Sequence, residues 1–151
     1  MAKAEQEKTE RQAWMGLLAK SSPARLAALM DKASDVPDFT WLRVPEAGGV
    51  MVRGRMGGTG APFNLGEMTV TRCALRLESG EVGHAYVQGR DKAHAQRAAL
   101  VDAMMQTDRA SDLRASVLDP LEAEREAQIA TRAAKAAATK VDFFTMVRGE
   151  D

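Results

Sequence analysis

A glycine-rich segment has the composition of a backbone anion site. Arg55 is followed by Gly57, Gly58, Thr59 and Gly60. Such a loop points several backbone N–H groups at an anion, and a neighbouring arginine adds forked donors. The segment matches neither the P-loop pattern nor a G-x-G-x-x-G that joins a strand to a helix. The alternative, which the pattern favours, is a turn between strands whose glycines supply positive φ angles.

A second cationic segment contains Arg90, Lys92 and His94 at the start of a predicted helix. Exposed N–H groups at a helix N-terminus and the helix dipole favour a bound anion. Asp91 is the predicted N-cap and would compete for the same N–H groups, so a solvated first turn is the alternative. We predict that the two segments lie close together and form one patch, for an oxyanion or for the carboxylates of a partner.

Few residues could act as catalytic or metal-binding groups. The chain has two histidines, His84 and His94, and one cysteine, Cys73. A stand-alone enzyme would use His94 or His84 as general base, and His94 is the weak catalytic candidate. Neither histidine has a partner at a motif spacing, and Cys73 is predicted to be a small buried residue. One cysteine excludes an internal disulfide, a cysteine-based zinc site and an iron–sulfur cluster held by this chain alone, so we expect no metal site.

The charge and hydropathy of the chain argue against two classes of partner. The 151 residues include 21 Lys and Arg and 21 Asp and Glu, for a formal net charge of zero. Non-specific nucleic-acid binding depends on a cationic excess, and a single tyrosine gives no stacking platform, so we expect no nucleic-acid partner. No apolar run approaches the roughly 18 residues of a spanning helix, and the polar N-terminus lacks a signal-peptide core. We therefore expect a cytoplasmic protein without membrane contact.

Hydrophobic periodicity divides one predicted domain, residues 1–151, into four parts. Residues 9–36 and 91–140 are predicted to be helical, residues 39–90 to form a sheet, and residues 141–151 to form an apolar tail. The predicted fold class is therefore α+β, with helices before and after the sheet in the sequence. Helix starts are predicted at Thr9 with Gln12, Ser22 before Pro23, Asp91, and Asp119 before Pro120.

The predicted sheet has four antiparallel strands. Two strands surround a turn at residues 45–49, and a clearer hairpin turns at Ser79-Gly80. A two-residue turn there would pair Leu77 with Val82, Leu75 with His84 and Cys73 with Tyr86. The opposite face would then be mostly small, which suits the close approach of a helix or another chain. The alanine-rich helix after Asp119 is predicted to lie on the surface or against a partner.

The tail places several apolar side chains at a terminus that is otherwise polar. Something must cover such side chains, either the protein's own sheet or another subunit. Together with the alanine-rich helix and the small sheet face, the tail favours assembly with a partner. The predicted interface residues are Phe143, Phe144, Met146, Val147 and Arg148.

At these same motifs the chain resembles the family of the G subunit of the bacterial carbon–phosphorus lyase core complex. The resemblance runs from about Arg11 to Gly149. It is densest in four stretches that occur in the same order: Arg55–Gly60, Thr71-Arg72, Val87–Lys92 with His94-Ala95, and Val141–Gly149. Each stretch is weak alone, but the four together make a specific match.

The resemblance implies a role that the spacing of residues does not show. Members of this family act with the H, I and L subunits to displace adenine from MgATP with an alkylphosphonate, giving ribose 1-methylphosphonate 5-triphosphate. The I subunit is the nucleosidase-like catalyst and the expected direct partner, and the J subunit later cleaves the C–P bond. This chain is then expected to bind no cofactor alone, with MgATP as co-substrate of the complex. The alternative function is a stand-alone module that binds a small anion or a nucleotide.

Overall fold

A computed structural model describes residues 9–33 and 35–141 of the 151-residue chain and confirms the α+β class. Two helices come first, followed by an antiparallel sheet and a second helical region. The helices are α1 Glu10–Lys20, α2 Pro23–Ala33, α3 Lys92–Met104, α4 Ala110–Leu113 and α5 Asp119–Ala138. The strands are β1 Phe39–Arg55, β2 Pro62–Leu77 and β3 Val82–Gln88, in the spatial order β1-β2-β3.

The N-terminal helices begin where their capping residues predict. The Thr9 side chain accepts from the Gln12 backbone N–H at 3.2 Å, and the Gln12 side chain accepts from the Thr9 N–H at 3.0 Å. This reciprocal pair is a capping box, which satisfies two otherwise unpaired donors. Helix α2 begins at Pro23 and buries Leu26 and Leu29 on one face. Both predicted helix starts are confirmed.

The prediction of four strands is wrong for the described residues, which form three. Residues 45–49 do not turn, because Glu46, Ala47, Gly48 and Gly49 pair in succession with β2. Pro45 falls within a register shift between Arg43 and Glu46. A proline, which has no backbone N–H to donate, is tolerated there because β1 is an edge strand and because the register is irregular at this position. The Pro and Gly residues therefore lie within one long strand instead of separating two.

The predicted β2–β3 register is wrong by one residue. The connection holds three residues, since the Leu77 N–H donates to the Glu81 carbonyl at 2.9 Å and Gly80 takes a φ of 106°. Arg76 consequently pairs with Val82, and Leu75 pairs with Gly83. A shift of one residue moves every side chain of a strand to the other face. The exposed side of β3 therefore carries His84, Tyr86 and Gln88, whereas Gly83, Ala85 and Val87 are buried.

Helix α3 packs on the buried face of β2 and β3, where the small residues of β3 allow close approach. A Cβ atom added at Gly83 would overlap the Ala99 carbonyl oxygen and lie 2.9 Å from the Ala103 nitrogen. Leu75 is fully buried in the same layer. The prediction that small residues allow a helix to approach closely is correct for Gly83, Ala85 and Val87. Large residues of β2 lie on the same face of the sheet.

The strands β1 and β2 continue beyond the end of β3 as a two-stranded ribbon. Strand β3 ends opposite Val70, whereas the β1–β2 pairing continues to Arg55 and Pro62. We use "ribbon" for residues 50–68, which include the connecting turn. Its side chains are exposed or half-buried, and Leu65 is 68% exposed. Two strands alone make a marginal structure in water.

The second helical region is continuous from Ala110 to Ala138. Helix α4 leads into a π-helical segment, Arg114–Leu118, and then into α5. The prediction of an N-cap at Asp119 is wrong, because Asp119 has helical φ and ψ of −60° and −44° within this run. Beyond Leu121 the helix is almost entirely exposed, as predicted for a surface helix. Within residues 9–33 and 35–141, no helix is long and apolar enough to cross a membrane.

The predicted interface residues Phe143, Phe144, Met146, Val147 and Arg148 lie outside the described residues. Their role in binding a partner stays a prediction.

Candidate functional site

The glycine-rich segment is the tip of the ribbon. Met56–Gly58 form a short 3₁₀ turn in which Gly57 and Gly58 have φ of 58° and 82°. The Gly60 N–H donates to the Met56 carbonyl at 2.7 Å, and a Cβ atom at Gly60 would lie 2.6 Å from that oxygen. Three glycines are therefore required by the backbone of this turn. Thr59 is exposed between them.

Arg55, the last residue of β1, stabilises this turn. Its Nη1 donates to the Gly60 carbonyl oxygen at 3.1 Å, and the side chain is exposed. The segment joins two strands and is followed by a strand instead of a helix. It therefore lacks the helix N-terminus that phosphate-binding loops use. This geometry agrees with the alternative in which the glycine-rich segment is a turn between strands with positive φ angles.

The second cationic segment lies at the N-terminus of α3. The Asp91 carboxylate accepts from the His94 backbone N–H at 2.9 Å, as an N-cap does. Just before it, the Gly89 N–H donates to the Thr69 carbonyl at 2.9 Å, which closes the end of the β2–β3 pairing. Arg90 and Lys92 are exposed at this corner. The carboxylate of Asp91 thus occupies a position that an anion would need.

His94 has a structural contact in this fold. Its ring is 4% exposed, and Nε2 donates to the Leu18 carbonyl at 2.9 Å. Leu18 lies in the last turn of α1, where carbonyl groups lack partners within the helix. His94 therefore joins the end of α1 to the start of α3, and its Nε2 is not available as a general base in this arrangement.

The two cationic segments are not brought together. Arg55 pairs with Pro62, whereas Gly89 bonds to Thr69, seven positions further along β2. At roughly 3.3 Å per residue, this corresponds to about 23 Å of strand. The prediction that Arg55 and Arg90 share one patch is therefore not supported by the sheet register.

The remaining nucleophile and base candidates are separated from each other. Cys73 is 2% exposed, and burial raises the pKa of its thiol to about 11. A thiol with this pKa is protonated at neutral pH and is a poor nucleophile. His84 pairs with Ala74 and lies on the exposed face of the sheet, whereas Cys73 lies on the buried face.

A buried carboxylate that the sequence analysis missed organises the centre of the fold. Asp102 of α3 has no exposed surface. Its two oxygens accept from Arg11 Nε and Nη2 at 3.1 and 2.8 Å, and from Trp14 Nε1 at 2.9 Å. The His84 backbone N–H donates to Oδ2 at 2.9 Å. We call these four residues the Asp102 cluster.

The Asp102 cluster joins the helices α1 and α3 to the edge strand β3. The hydrogen bond to Asp102 raises the pKa of the Arg11 guanidinium, which therefore stays charged. Arg11 Nη2 also donates to the Val82 carbonyl at 3.0 Å. Four donors satisfy the carboxylate, so its role here is to position α1 and β3 rather than to react with a substrate.

Two signals in the sequence point to this cluster. Asp102 is the only charged residue between Ala98 and Met105, a stretch that otherwise is apolar. Arg11 and Trp14 are three residues apart, which places them on one face of α1. A buried acid needs a cationic partner, but nothing in the sequence indicates which arginine of the chain it is.

No group of three or more His, Cys, Asp or Glu side chains within residues 9–33 and 35–141 is arranged to hold a metal ion. No buried side-chain nitrogen or oxygen in the same ranges lacks a hydrogen-bond partner. The described part of the chain thus contains a structural carboxylate cluster, but it presents no set of free catalytic groups at one place.

Comparison with known proteins gives two findings. The family described as "Phosphonate metabolism protein PhnG" matches residues 9–149. The chain is also 47% identical over 145 residues to a Rhizobium meliloti (strain 1021) protein, covering 94% of this chain and 91% of that protein. The relative is named "Alpha-D-ribose 1-methylphosphonate 5-triphosphate synthase subunit PhnG". By both measures the chain belongs to the PhnG family of phosphonate metabolism proteins.

Proposed function

We propose that this protein is a non-catalytic or co-catalytic subunit, inactive by itself, of a synthase that transfers the ribose triphosphate of ATP to an alkylphosphonate. In this reaction the bond between adenine and the ribose breaks, and a phosphonate oxygen takes the place of adenine. The observation that carries the proposal is the 47% identity, over nearly the whole chain, to a protein named as a subunit of that synthase.

The chemistry of the described residues supports a companion role. His94 Nε2 donates to the Leu18 carbonyl, Cys73 is buried and protonated, and Asp102 is satisfied by four donors. These contacts leave His84 as the one exposed histidine in the described residues, and no carboxylate there forms an ion pair with its ring. Such a chain is suited to position a catalytic neighbour.

The proposed partners are the H, I and L subunits, with the I subunit in direct contact, and the J subunit in the later step of the same system. MgATP is the co-substrate of the complex, and this chain holds no cofactor by itself. Because the proposed reaction consumes ATP, we place the complex in the cytoplasm. The tail residues Phe143–Arg148 are proposed to bind a partner subunit.

The test is reconstitution of the reaction. The H, I and L subunits are co-expressed with or without this chain, and adenine released from MgATP and methylphosphonate is measured. We expect release only from the set that includes this chain, and none from the chain alone. Equal release without the chain would contradict the proposal. Release by the isolated chain would show instead that it is an enzyme.

A binding measurement separates the proposal from a stand-alone anion or nucleotide module. Calorimetry of the isolated full chain with MgATP, and separately with methylphosphonate, should give no heat of specific binding. The matched variants are Arg55→Ala and Arg90→Ala, which remove one cation from each cationic segment. Tight binding that either variant abolishes would support the module.

The tail has its own test. A chain that ends after Lys140 should keep the melting temperature of the full chain and should be recovered less well with the I subunit. A truncated chain that unfolds when isolated, but still forms the complex with its partners, would assign the tail to the protein's own core.

A further inference from the structure

The ribbon has a free backbone edge beyond the end of β3. Strand β3 pairs with β2 from Arg76 to Val70, and the last contact is the Gly89 N–H, which donates to the Thr69 carbonyl. Within the described part of the chain, residues 62–68 of β2 therefore have β1 on one side and no strand on the other. Such an edge presents unpaired backbone groups that another strand can bind.

The register shows which residues of β2 point their backbone groups at this edge. The Thr69 carbonyl points away from β1, and backbone direction alternates along a strand, so the N–H and carbonyl of Glu67 point the same way. Leu65 is the extra residue at the register shift of the ribbon, which changes the alternation by one position. Asn64, opposite Arg53, therefore also presents its backbone groups to the free edge.

One face of the ribbon carries two polar side chains of β2. Glu67 pairs with Met51 and Asn64 pairs with Arg53, and these two residues of β1 are two positions apart. Glu67 and Asn64 therefore lie on the same face. Neither side chain has a hydrogen-bond or ion-pair partner among the described residues.

The other face of the ribbon is apolar. Met68 pairs with Val50, and Phe63 pairs with Gly54, four positions further along β1. A Cβ atom added at Gly54 would lie 3.5 Å from the Phe63 ring, which therefore extends over β1 on this face. Phe63 is nevertheless 41% exposed.

We infer that this free edge pairs with the same edge of a second copy of this chain, antiparallel about a two-fold axis at the middle of residues 62–69. In this register Asn64 of one protomer lies opposite Glu67 of its partner, and Phe63 lies opposite Met68. Each pair joins side chains of the same face, and the symmetry forms each pair twice. The occupant is a second copy because the edge is complementary to itself. The inference goes beyond the proposed function and does not depend on it.

Both pairs suit an antiparallel ladder. Asn64 and Glu67 point backbone groups at the edge, so they form a hydrogen-bonded pair in which the amide can donate to the carboxylate. Phe63 and Met68 form a non-hydrogen-bonded pair, whose side chains lie closer and permit a sulfur–aromatic contact. The two ribbons become four strands, and three or more strands are needed for a sheet that is stable in water.

The first test changes the charge opposite Glu67. Asn64→Glu places like charges opposite each other in both pairs and should raise the dissociation constant of the dimer at least tenfold. Asn64→Lys should lower it, and Asn64→Glu/Glu67→Lys should restore it by placing opposite charges across the interface. Analytical ultracentrifugation of the full chain measures the constants. Thr40→Glu, at an exposed position of β1 outside the ribbon, should match the wild type.

Two results of this test would overturn the inference. One is a wild-type chain that stays monomeric at the highest concentration at which it is soluble. The other is a dimer whose dissociation constant is the same in all the Asn64 variants, because such a dimer uses a different surface.

A disulfide crosslink keeps the inference testable if the charge variants do not fold. Phe63→Cys/Met68→Cys, made with Cys73→Ala, should give a disulfide-linked dimer under mild oxidation. The two positions of one chain are about 17 Å apart along the strand and cannot join each other. The control, Val44→Cys/Met51→Cys, uses exposed positions of β1 and should give little dimer. Equal crosslinking of both variants would contradict the register.

These outcomes are independent of the test of the proposed function. A monomeric chain that supports adenine release with its companion subunits would overturn this inference and leave the proposed function in place. A chain that dimerises through residues 62–69, but is not needed for adenine release, would support the inference and contradict the proposed function.

Discussion

Two leucines of β2 show how differently the two ends of the sheet are used. Leu75 and Leu65 lie ten residues apart on the same strand, where Leu75 pairs with Trp41 and Gly83 and Leu65 falls at the register shift opposite Val52 and Arg53. Leu75 lies under α3 and is fully buried, whereas Leu65 lies in the ribbon and is 68% exposed. The same strand is therefore part of a core at one end and a projecting surface at the other.

The difference shows which part of the molecule stabilises the fold. Beneath α3, close packing at Gly83 and the saturated Asp102 cluster hold helix and sheet together. The ribbon has no third strand, and its glycine turn is held by one Arg55 contact and local backbone hydrogen bonds. We therefore expect substitutions to change stability more beneath α3 than in the ribbon.

The largest expected effect is at the Asp102 cluster. Asp102→Ala leaves Trp14 Nε1 and the His84 N–H without their buried acceptor and Arg11 without its carboxylate. Breaking a buried charge pair from one side costs about 3–5 kcal/mol of unfolding free energy. Urea denaturation measures the loss, with Asp31→Ala at an exposed position of α2 as the control. A variant as stable as the control would show that the cluster does not hold the fold.

The two leucines give the next comparison. Leu75→Ala removes a fully buried side chain and should lower the unfolding free energy by about 2–5 kcal/mol. Leu65→Ala should change it by less than about 0.5 kcal/mol, since surface substitutions rarely do more. Similar losses at both positions, measured by the same denaturation, would mean that the ribbon is packed in solution.

Two glycines sharpen the same contrast. Gly83→Ala would force a methyl group into the Ala99 carbonyl, so α3 must move and we expect a loss of about 1–3 kcal/mol. Gly66 in the ribbon has no atom within 4 Å of the added Cβ, and Gly66→Ala should be neutral or slightly stabilising. Thermal unfolding of both variants gives the comparison. A tolerated Gly83→Ala would contradict the close helix approach.

The smallest expected effect concerns Cys73. Burial raises the pKa of its thiol from 9.0 to about 11, so the folded state disfavours the thiolate. This contribution to stability is complete below pH 9 and is lost as the pH rises towards 11. Alkylation by iodoacetamide at pH 9 should be at least tenfold slower in the native protein than in urea. Equal rates would show that the thiol is accessible. Cys73→Ala should remove this part of the pH dependence.

Much of the helical structure was predictable because its signals are local. The Thr9–Gln12 capping box, the proline start at Pro23 and the Asp91 N-cap each depend on residues within one turn. The start at Asp119 failed because the helix begins earlier, at Ala110, and passes through a π-helical segment. A sequence that is favourable for an N-cap does not start a new helix where the chain is already helical.

The candidate site was harder to predict than the helices. The structure agrees with the alternative that the glycine-rich segment is a turn between strands, in which Gly57 and Gly58 take positive φ angles. The Asp102 cluster was missed, because its members are separated by up to 91 positions. The proposed shared patch failed for a related reason, since the distance between two loops depends on sheet register.

The amino-acid sequence by itself determined the fold class, the helix starts at Thr9, Pro23 and Asp91, the turn glycines and the membership of the PhnG family. These follow from local propensity and from residue patterns that survive in a relative 47% identical to this chain. Tertiary structure decided the number of strands, the β2–β3 register and the partners of Asp102. A one-residue change in a turn moves every later side chain of a strand to the other face, and the turn is chosen by how well the whole sheet then packs against α3.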